Sequence, residues 1–96
     1  MFIILLKFST NRAKAGQFME RHNSWLRDGF EKGIFLLSGS IQPKVGGVVL
    51  AHNATPEQIR AIVNEDPFVA EDVVTAEIVE ISASKSIPEL EFLISQ

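Results

Sequence analysis

The chain begins with an apolar run that limits how the rest of it can be arranged. Residues 2–8 read Phe-Ile-Ile-Leu-Leu-Lys-Phe, so an extended strand here has apolar side chains on both faces. The run is short, rich in Ile and Phe, and closed by Ser9-Thr10-Asn11, which is typical of a buried strand. No positive segment precedes it, which favours a strand over a signal peptide. A strand of this kind needs protein on both sides of its sheet.

The segments that follow complete a β-α-β-β-α-β order. Apolar periodicity and turn residues predict a helix over residues 13–30, strands over 34–41 and 48–51, a helix over 56–64 and a strand over 73–81. Thr55-Pro56-Glu57-Gln58 predicts a capping box at the start of the second helix. This order predicts an α+β fold, a ferredoxin-like sandwich with an antiparallel sheet and both helices on one face.

Composition narrows the class of protein. The 96 residues suit one domain, for which we expect a core over residues 1–81 and a C-terminal extension over residues 82–96. The absence of cysteine excludes disulfides and thiolate metal sites. A formal net charge of −3 without a basic block argues against nucleic acid and membrane as partners. These numbers favour a soluble, cytoplasmic α+β domain, and by themselves they do not name a function.

The later strands repeat the two-faced pattern of the first. Residues 34–41 carry apolar side chains at both odd and even positions, and so do residues 73–81. Helices on one face leave the second face uncovered, and an apolar patch of that size is rarely left in water. The economical cover is the same face of a second copy. The sequence therefore predicts a homodimer closed sheet to sheet, leaves larger assemblies open, and offers the C-terminal extension as a further cover.

His22 is the most informative residue of the first predicted helix. With a step of about 100° per residue, it lies near the middle of an apolar side that holds Phe18, Met19, Trp25, Leu26 and Gly29. An imidazole aimed at a helix–sheet interface is either a hydrogen-bonded core side chain or a general acid or base. Histidine suits the second role because its unperturbed pKa of about 6.5 lies near working pH. Periodicity alone leaves both roles open.

Asp66 is the second candidate. Asp66 followed by Pro67 predicts an N-cap with proline at the first helical position. The same carboxylate can also orient His22 or stabilise its cationic form, because a carboxylate has two oxygens. The two residues are far apart in the sequence, so spacing does not decide between a cap alone and a cap that also serves a site.

Ser38-Gly39-Ser40 lies inside the second predicted strand. A glycine there marks a bulge or a close backbone approach, which either leaves room for a ligand or lets a side chain such as Trp25 or Phe18 pack. A metal site is not expected, because the two histidines lack both cysteine and a His-x-x-x-His spacing. No glycine-rich phosphate loop is present, so no cofactor is required by the sequence.

These pieces, in this order, resemble the YciI-like (YCII-related) family of the dimeric α/β-barrel group. The residues that carry the resemblance run to about Ile81 and are His22, Gly33-Ile34-Phe35-Leu36-Leu37-Ser38-Gly39, Gly47-Val48-Val49-Leu50 and Asp66-Pro67-Phe68. The resemblance implies a ferredoxin-like fold that dimerises through its sheets. It also implies a site that pairs His22 with Asp66.

The resemblance further implies a small-molecule enzyme in which His22 and Asp66 carry out acid/base chemistry. The expected reaction is an elimination, such as dehydrochlorination, or an isomerisation of a small cyclic or phenolic acid. One branch of the family removes chloride from a chlorinated hydroxyhydroquinone. Two other functions stay open: a non-catalytic dimeric small-ligand-binding or scaffold protein, and a cofactor-free monooxygenase.

A substrate-binding wall is expected beside this pair. Aromatic side chains would supply its apolar part, and small residues of the second strand would donate hydrogen bonds to a developing oxyanion. The residues expected to bind substrate are Phe18, Trp25, Ser38, Gly39, Ser40 and Phe68.

Overall fold

A computed structural model describes residues 1–94 as an antiparallel sheet with helices packed on one face. The sheet order is β2-β3-β1-β4, and the strands are β1 (Phe2–Phe8), β2 (Phe35–Ile41), β3 (Gly46–Ala51) and β4 (Val74–Glu80). The helices are α1 (Ala15–Glu31), α2 (Pro56–Asn64) and the short α3 (Pro67–Ala70). The prediction of an α+β ferredoxin-like fold is confirmed. No helix within residues 1–94 is long and apolar enough to cross a membrane.

Most observed boundaries lie within two residues of the predicted ones. α1 starts later than expected because Arg12–Lys14 form a separate 3-10 turn. α2 starts as expected, since the Thr55 hydroxyl accepts the Gln58 amide and the Gln58 side chain accepts the Thr55 amide. β3 begins early, at Gly46, whose φ of 153° and contact with the Leu6 backbone leave no space for a side chain.

Glycines fix the end of α1 and its distance from β2. The Gly33 amide bonds the Phe30 carbonyl and the Ile34 amide bonds the Gly29 carbonyl, each at 3.0 Å, which is a Schellman motif with Gly33 at φ 72°. At Gly29, any Cβ would overlap the ring of Phe35. The helix therefore lies close against β2, the strand that carries Ser38 and Ser40.

The core fills the space between the sheet and its helices. Phe2, Ile4 and Leu6 on one face of β1 are buried in it. The rings of Trp25 from α1 and Phe35 from β2 also meet there, with 5.0 Å between their centroids. Met19, expected on the apolar side of α1, is instead 43% exposed. It lies about 100° around the helix from Phe18, at the border of the side that faces the sheet. Among the described residues, Asp66 is the one ionisable residue that is buried.

The face of the sheet that points away from the helices carries apolar side chains. The strand register aligns one apolar row across the whole sheet, formed by Leu37, Leu50, Ile3 and Val79. Leu37 is 50% exposed and Val79 is 37% exposed. The two-faced strands predicted from the sequence are thus present. The homodimer inferred from them stays a prediction.

The C-terminal extension follows β4. Within it, Pro88–Leu93 form a 3-10 helix. Leu93 is buried without belonging to the main core, and the ring of Phe92 lies 5.4 Å from that of His52. Residues 95 and 96 of the predicted extension lie outside the described residues.

Candidate functional site

His22 and Asp66 meet although 44 positions separate them in the sequence. His22 Nδ1 and Asp66 Oδ1 are 2.8 Å apart; the Asp66 side chain is fully buried and that of His22 is 13% exposed. An ionised carboxylate can only accept hydrogen bonds, so the hydrogen bond to Oδ1 is donated by Nδ1–H. In the neutral ring, Nε2 then carries the lone pair and can accept a proton from another molecule. This is the tautomer that a general base needs.

The N-terminal end of α3 holds the carboxylate of Asp66 in place. Asp66 is the N-cap of α3, with extended backbone and Pro67 next, and its Oδ1 accepts the Phe68 amide at 3.0 Å. The second oxygen, Oδ2, is buried and receives no hydrogen bond from residues 1–94. The cap and the contact with His22 therefore use the same oxygen. The start of α3 fixes the position of the carboxylate that His22 contacts.

Two aromatic rings pack against the imidazole. The ring of Phe68 lies 4.0 Å away and nearly parallel, at 4°, while that of Trp25 lies 5.7 Å away at 27°. Trp25 is itself fixed, because its Nε1 donates to the Ile62 carbonyl at 2.8 Å. These contacts limit rotation of the His22 ring and so keep Nε2 in one direction.

His22 forms part of the wall of an open cavity of about 230 Å³. The cavity lies between α1 and strands β1, β2 and β3, and its lining residues are Leu6, His22, Leu26, Ser38, Gly39, Ser40, Gly47, Val48 and Val49. Three residues predicted to bind substrate, Ser38, Gly39 and Ser40, are thus brought to His22. The cavity combines an imidazole, two hydroxyls and an apolar wall.

The other three residues predicted to bind substrate do not line the cavity. Trp25 and Phe68 contact the imidazole but do not line the cavity. Phe18 is buried in the core, with the Arg21 guanidinium 5.1 Å from its ring, and is not part of the cavity wall. A Cβ at Gly39 would meet no atom of the described residues within 4 Å, so no side chain packs on that glycine.

Sequence reasoning missed five residues of the cavity wall: Leu6, Leu26, Gly47, Val48 and Val49. Leu26 had a usable signal, since it follows His22 by one helical turn on the same side of α1. The other four depend on the register of three strands, in which Ser38 pairs with Val49 and Ser40 with Gly47. Periodicity within one strand does not contain that information.

A larger cavity, of about 390 Å³, lies at the opposite end of the sheet. It contains neither His22 nor Asp66, and several of its polar groups are already bonded, including the Met1 ammonium and the Thr55–Gln58 capping box. Within residues 1–94, no group of three or more His, Asp or Glu side chains is placed to hold a metal ion. The cavity beside His22 is therefore the candidate site.

The fold and the site define a ferredoxin-like α+β protein with a His–Asp pair at a small cavity. The chain belongs to the YCII-related domain family, whose model matches residues 1–82. Among solved structures it is similar to 5-chloro-2-hydroxyhydroquinone dehydrochlorinase from Burkholderia phenoliruptrix in complex with 2,5-dihydroxybenzoquinone. That likeness has a TM-score of 0.69 and 10% sequence identity, and covers 88% of this chain and 96% of the other. No curated protein sequence matches the chain.

Proposed function

We propose that this protein is a small-molecule enzyme in which His22 is the general base and Asp66 orients it. The observation that carries the proposal is the 2.8 Å contact from His22 Nδ1 to Asp66 Oδ1, made by an imidazole that also lines a cavity. General acid/base catalysis needs a histidine with one nitrogen held and the other free to reach substrate. His22 meets both conditions.

The proposed reaction is proton transfer that leads to elimination or isomerisation. Nε2 of His22 takes a proton from an acidic ring carbon or phenol, and the electron pair moves onto a ring oxygen. In the elimination, a proton is then added at the carbon that bears chlorine, and loss of a second hydroxyl proton moves an electron pair through the ring, so that chloride leaves and a hydroxyquinone remains. In the isomerisation, the proton returns to another carbon. The Ser38 and Ser40 hydroxyls and the backbone at Gly39 would stabilise the developing oxyanion.

The choice of first substrate is supported by the structural neighbour. That protein is a 5-chloro-2-hydroxyhydroquinone dehydrochlorinase and its structure holds a dihydroxyquinone. A cavity of about 230 Å³ with two hydroxyls and an imidazole suits a compound of this size. Chlorinated hydroxyhydroquinone is therefore the first compound to test here.

The test is release of chloride by the wild-type protein and by two histidine variants. His22→Ala should lower the rate by about a hundredfold or more, the usual size of an acid/base contribution. His52→Ala is the matched control and should keep the wild-type rate, because His52 packs against Phe92 outside the cavity. Equal rates for wild type and His22→Ala would contradict the proposed role of His22.

The same assay separates the alternatives. Binding of the hydroquinone without chloride release, isomerisation or oxygen uptake would favour a non-catalytic ligand-binding protein. Oxygen consumption with an electron-rich quinol would favour a cofactor-free monooxygenase. A lower melting temperature for His22→Ala, with no activity to lose, would make the His22–Asp66 pair structural.

We also propose that the working form is a homodimer closed through the outer faces of the two sheets. The support is the apolar row of Leu37, Leu50, Ile3 and Val79, which runs across all four strands. Burial of apolar surface stabilises such contacts by about 25 cal/mol per Å². The second copy would cover the face that the helices leave open.

A further inference from the structure

We infer that the cavity beside His22 selects uncharged rings that carry oxygen substituents and discriminates against ring carboxylates. The inference rests on the proposed function and narrows its substrate class from acids and phenols to uncharged phenols and related rings. Three features of the cavity carry it: the charges of its wall, its size and the spacing of its hydroxyls.

The wall of the cavity contains neither lysine nor arginine, and its ionisable side chain is the imidazole of His22. Three of its nine lining residues, Leu6, Leu26 and Val49, carry apolar side chains on the helix-facing side. A carboxylate that leaves water for such a wall loses hydration that the wall does not replace. The buried carboxylate of Asp66 lies directly behind His22 and adds a repulsion between like charges. An uncharged ring escapes both costs.

The size of the cavity fits one substituted ring. Its volume is about 230 Å³. For comparison, an apolar protein cavity of about 150 Å³ accommodates benzene. The remaining space suits small substituents such as hydroxyl, carbonyl or chloride on a single six-membered ring.

Two hydroxyls stand at one wall with a fixed separation. Ser38 pairs with Val49 and Ser40 with Gly47, so both serine side chains are on the helix-facing side of β2, about 7 Å apart along the strand. Neither hydroxyl makes a side-chain hydrogen bond to another described residue. Serine hydroxyls satisfy neutral oxygens at two positions of a ring, whereas a carboxylate bonds best to charged donors.

The test compares gentisamide with gentisate, which share the dihydroxy ring. Gentisamide carries an uncharged amide at the position where gentisate carries an ionised carboxylate. Calorimetric titration at neutral pH should give wild-type protein at least about tenfold tighter binding of the amide. Leu26→Lys should narrow or reverse that preference, because it adds a cation to the wall. Leu26→Gln, of similar length without charge, should keep it. Ser38→Ala and Ser40→Ala should each weaken binding of the amide a few-fold.

Binding is measured apart from turnover, so the two proposals fail separately. Equal or tighter binding of gentisate by wild type overturns the charge selection but leaves His22 chemistry possible. Binding of neither compound overturns the inference as well, because the cavity then does not take a dihydroxy ring. A clear amide preference combined with no turnover of any ring substrate would support the selection and overturn the proposed enzyme.

Discussion

At the scale of single residues, Asp66 joins a structural task to a chemical one. Its Oδ1 accepts the Phe68 amide at the start of α3 and also contacts Nδ1 of His22. The next residue but one, Phe68, supplies both that amide and the ring stacked on the imidazole. Two residues of the Asp-Pro-Phe segment, Asp66 and Phe68, thus hold the imidazole of His22 in position.

The two tasks of Asp66 can be separated by substitution. Asp66→Asn keeps a side-chain oxygen that caps α3 as well as aspartate does, so its free energy of unfolding should stay within about 1 kcal/mol of wild type. The same amide oxygen can still accept a hydrogen bond from Nδ1, but the negative charge that stabilises the imidazolium formed when Nε2 takes a proton is lost, so turnover should fall by about a hundredfold or more. Asp66→Ala should lose turnover and also about 1 kcal/mol of cap stability.

Urea unfolding measures the stability of the two Asp66 variants, and chloride release measures their turnover. Nitrogen NMR of the His22 ring reports directly on its tautomer. Wild-type turnover in Asp66→Asn would contradict a contribution of the negative charge of Asp66 to the reaction.

At the scale of elements, local signals predicted the fold well. The apolar run of β1, the Thr55–Gln58 capping box and Gly33 after α1 are each written in a few consecutive residues, and each appears in the structure. Helical periodicity also placed His22 on the inner side of α1. Such features could be predicted because their causes are local: steric limits, hydrogen bonding of helix ends and side-chain alternation.

The sequence predicted several residues of the candidate site but not their contacts with one another, because those contacts depend on tertiary packing. Ser38 and Ser40 were suspected from the glycine between them, but their cross-strand neighbours follow from a register that contains an irregularity between Phe35 and Leu37. The contact of His22 with Asp66 depends on where α3 packs against α1. The chemistry of the two residues made that contact possible and the resemblance to a family favoured it, but spacing in the sequence did not decide it.

Two glycines of α1 make a matched test of how closely this helix approaches the sheet. Gly29→Ala should destabilise the protein by about 1–3 kcal/mol, because the new methyl group overlaps the Phe35 ring and overpacks the core. Gly16→Ala, in the same helix with open space around it, should be neutral or stabilising by up to about 1 kcal/mol. Urea unfolding of both variants checks the pair. Equal stability changes would contradict the close contact between α1 and β2.

At the scale of the whole molecule, the sheet has one face in the core and one apolar face outside it. The same strands supply the His22 cavity on one side and the row of Leu37, Leu50, Ile3 and Val79 on the other. A dimer closed through the outer faces would leave the cavities on opposite sides of the assembly, each beneath its own α1. The proposed catalysis and the proposed assembly therefore use different surfaces.

The assembly can be tested with two exposed apolar residues. Leu37→Asp should convert the dimer to monomer at micromolar concentration, because it puts a charge in the row that meets its copy. Met19→Asp is the control: Met19 is similarly exposed but lies on α1, away from that row, and its variant should stay dimeric. Light scattering measures both masses. A monomeric wild type would contradict the dimer outright.

The central claim is that Nε2 of His22 takes a proton from a bound ring. The most direct measurement is NMR of the exchange of ring hydrogens for deuterium in hydroxyhydroquinone, kept without oxygen in heavy water. We expect the wild-type protein and His52→Ala to accelerate the exchange equally, and His22→Ala to leave it at the rate without protein. Exchange by His22→Ala as fast as by wild type would contradict the claim.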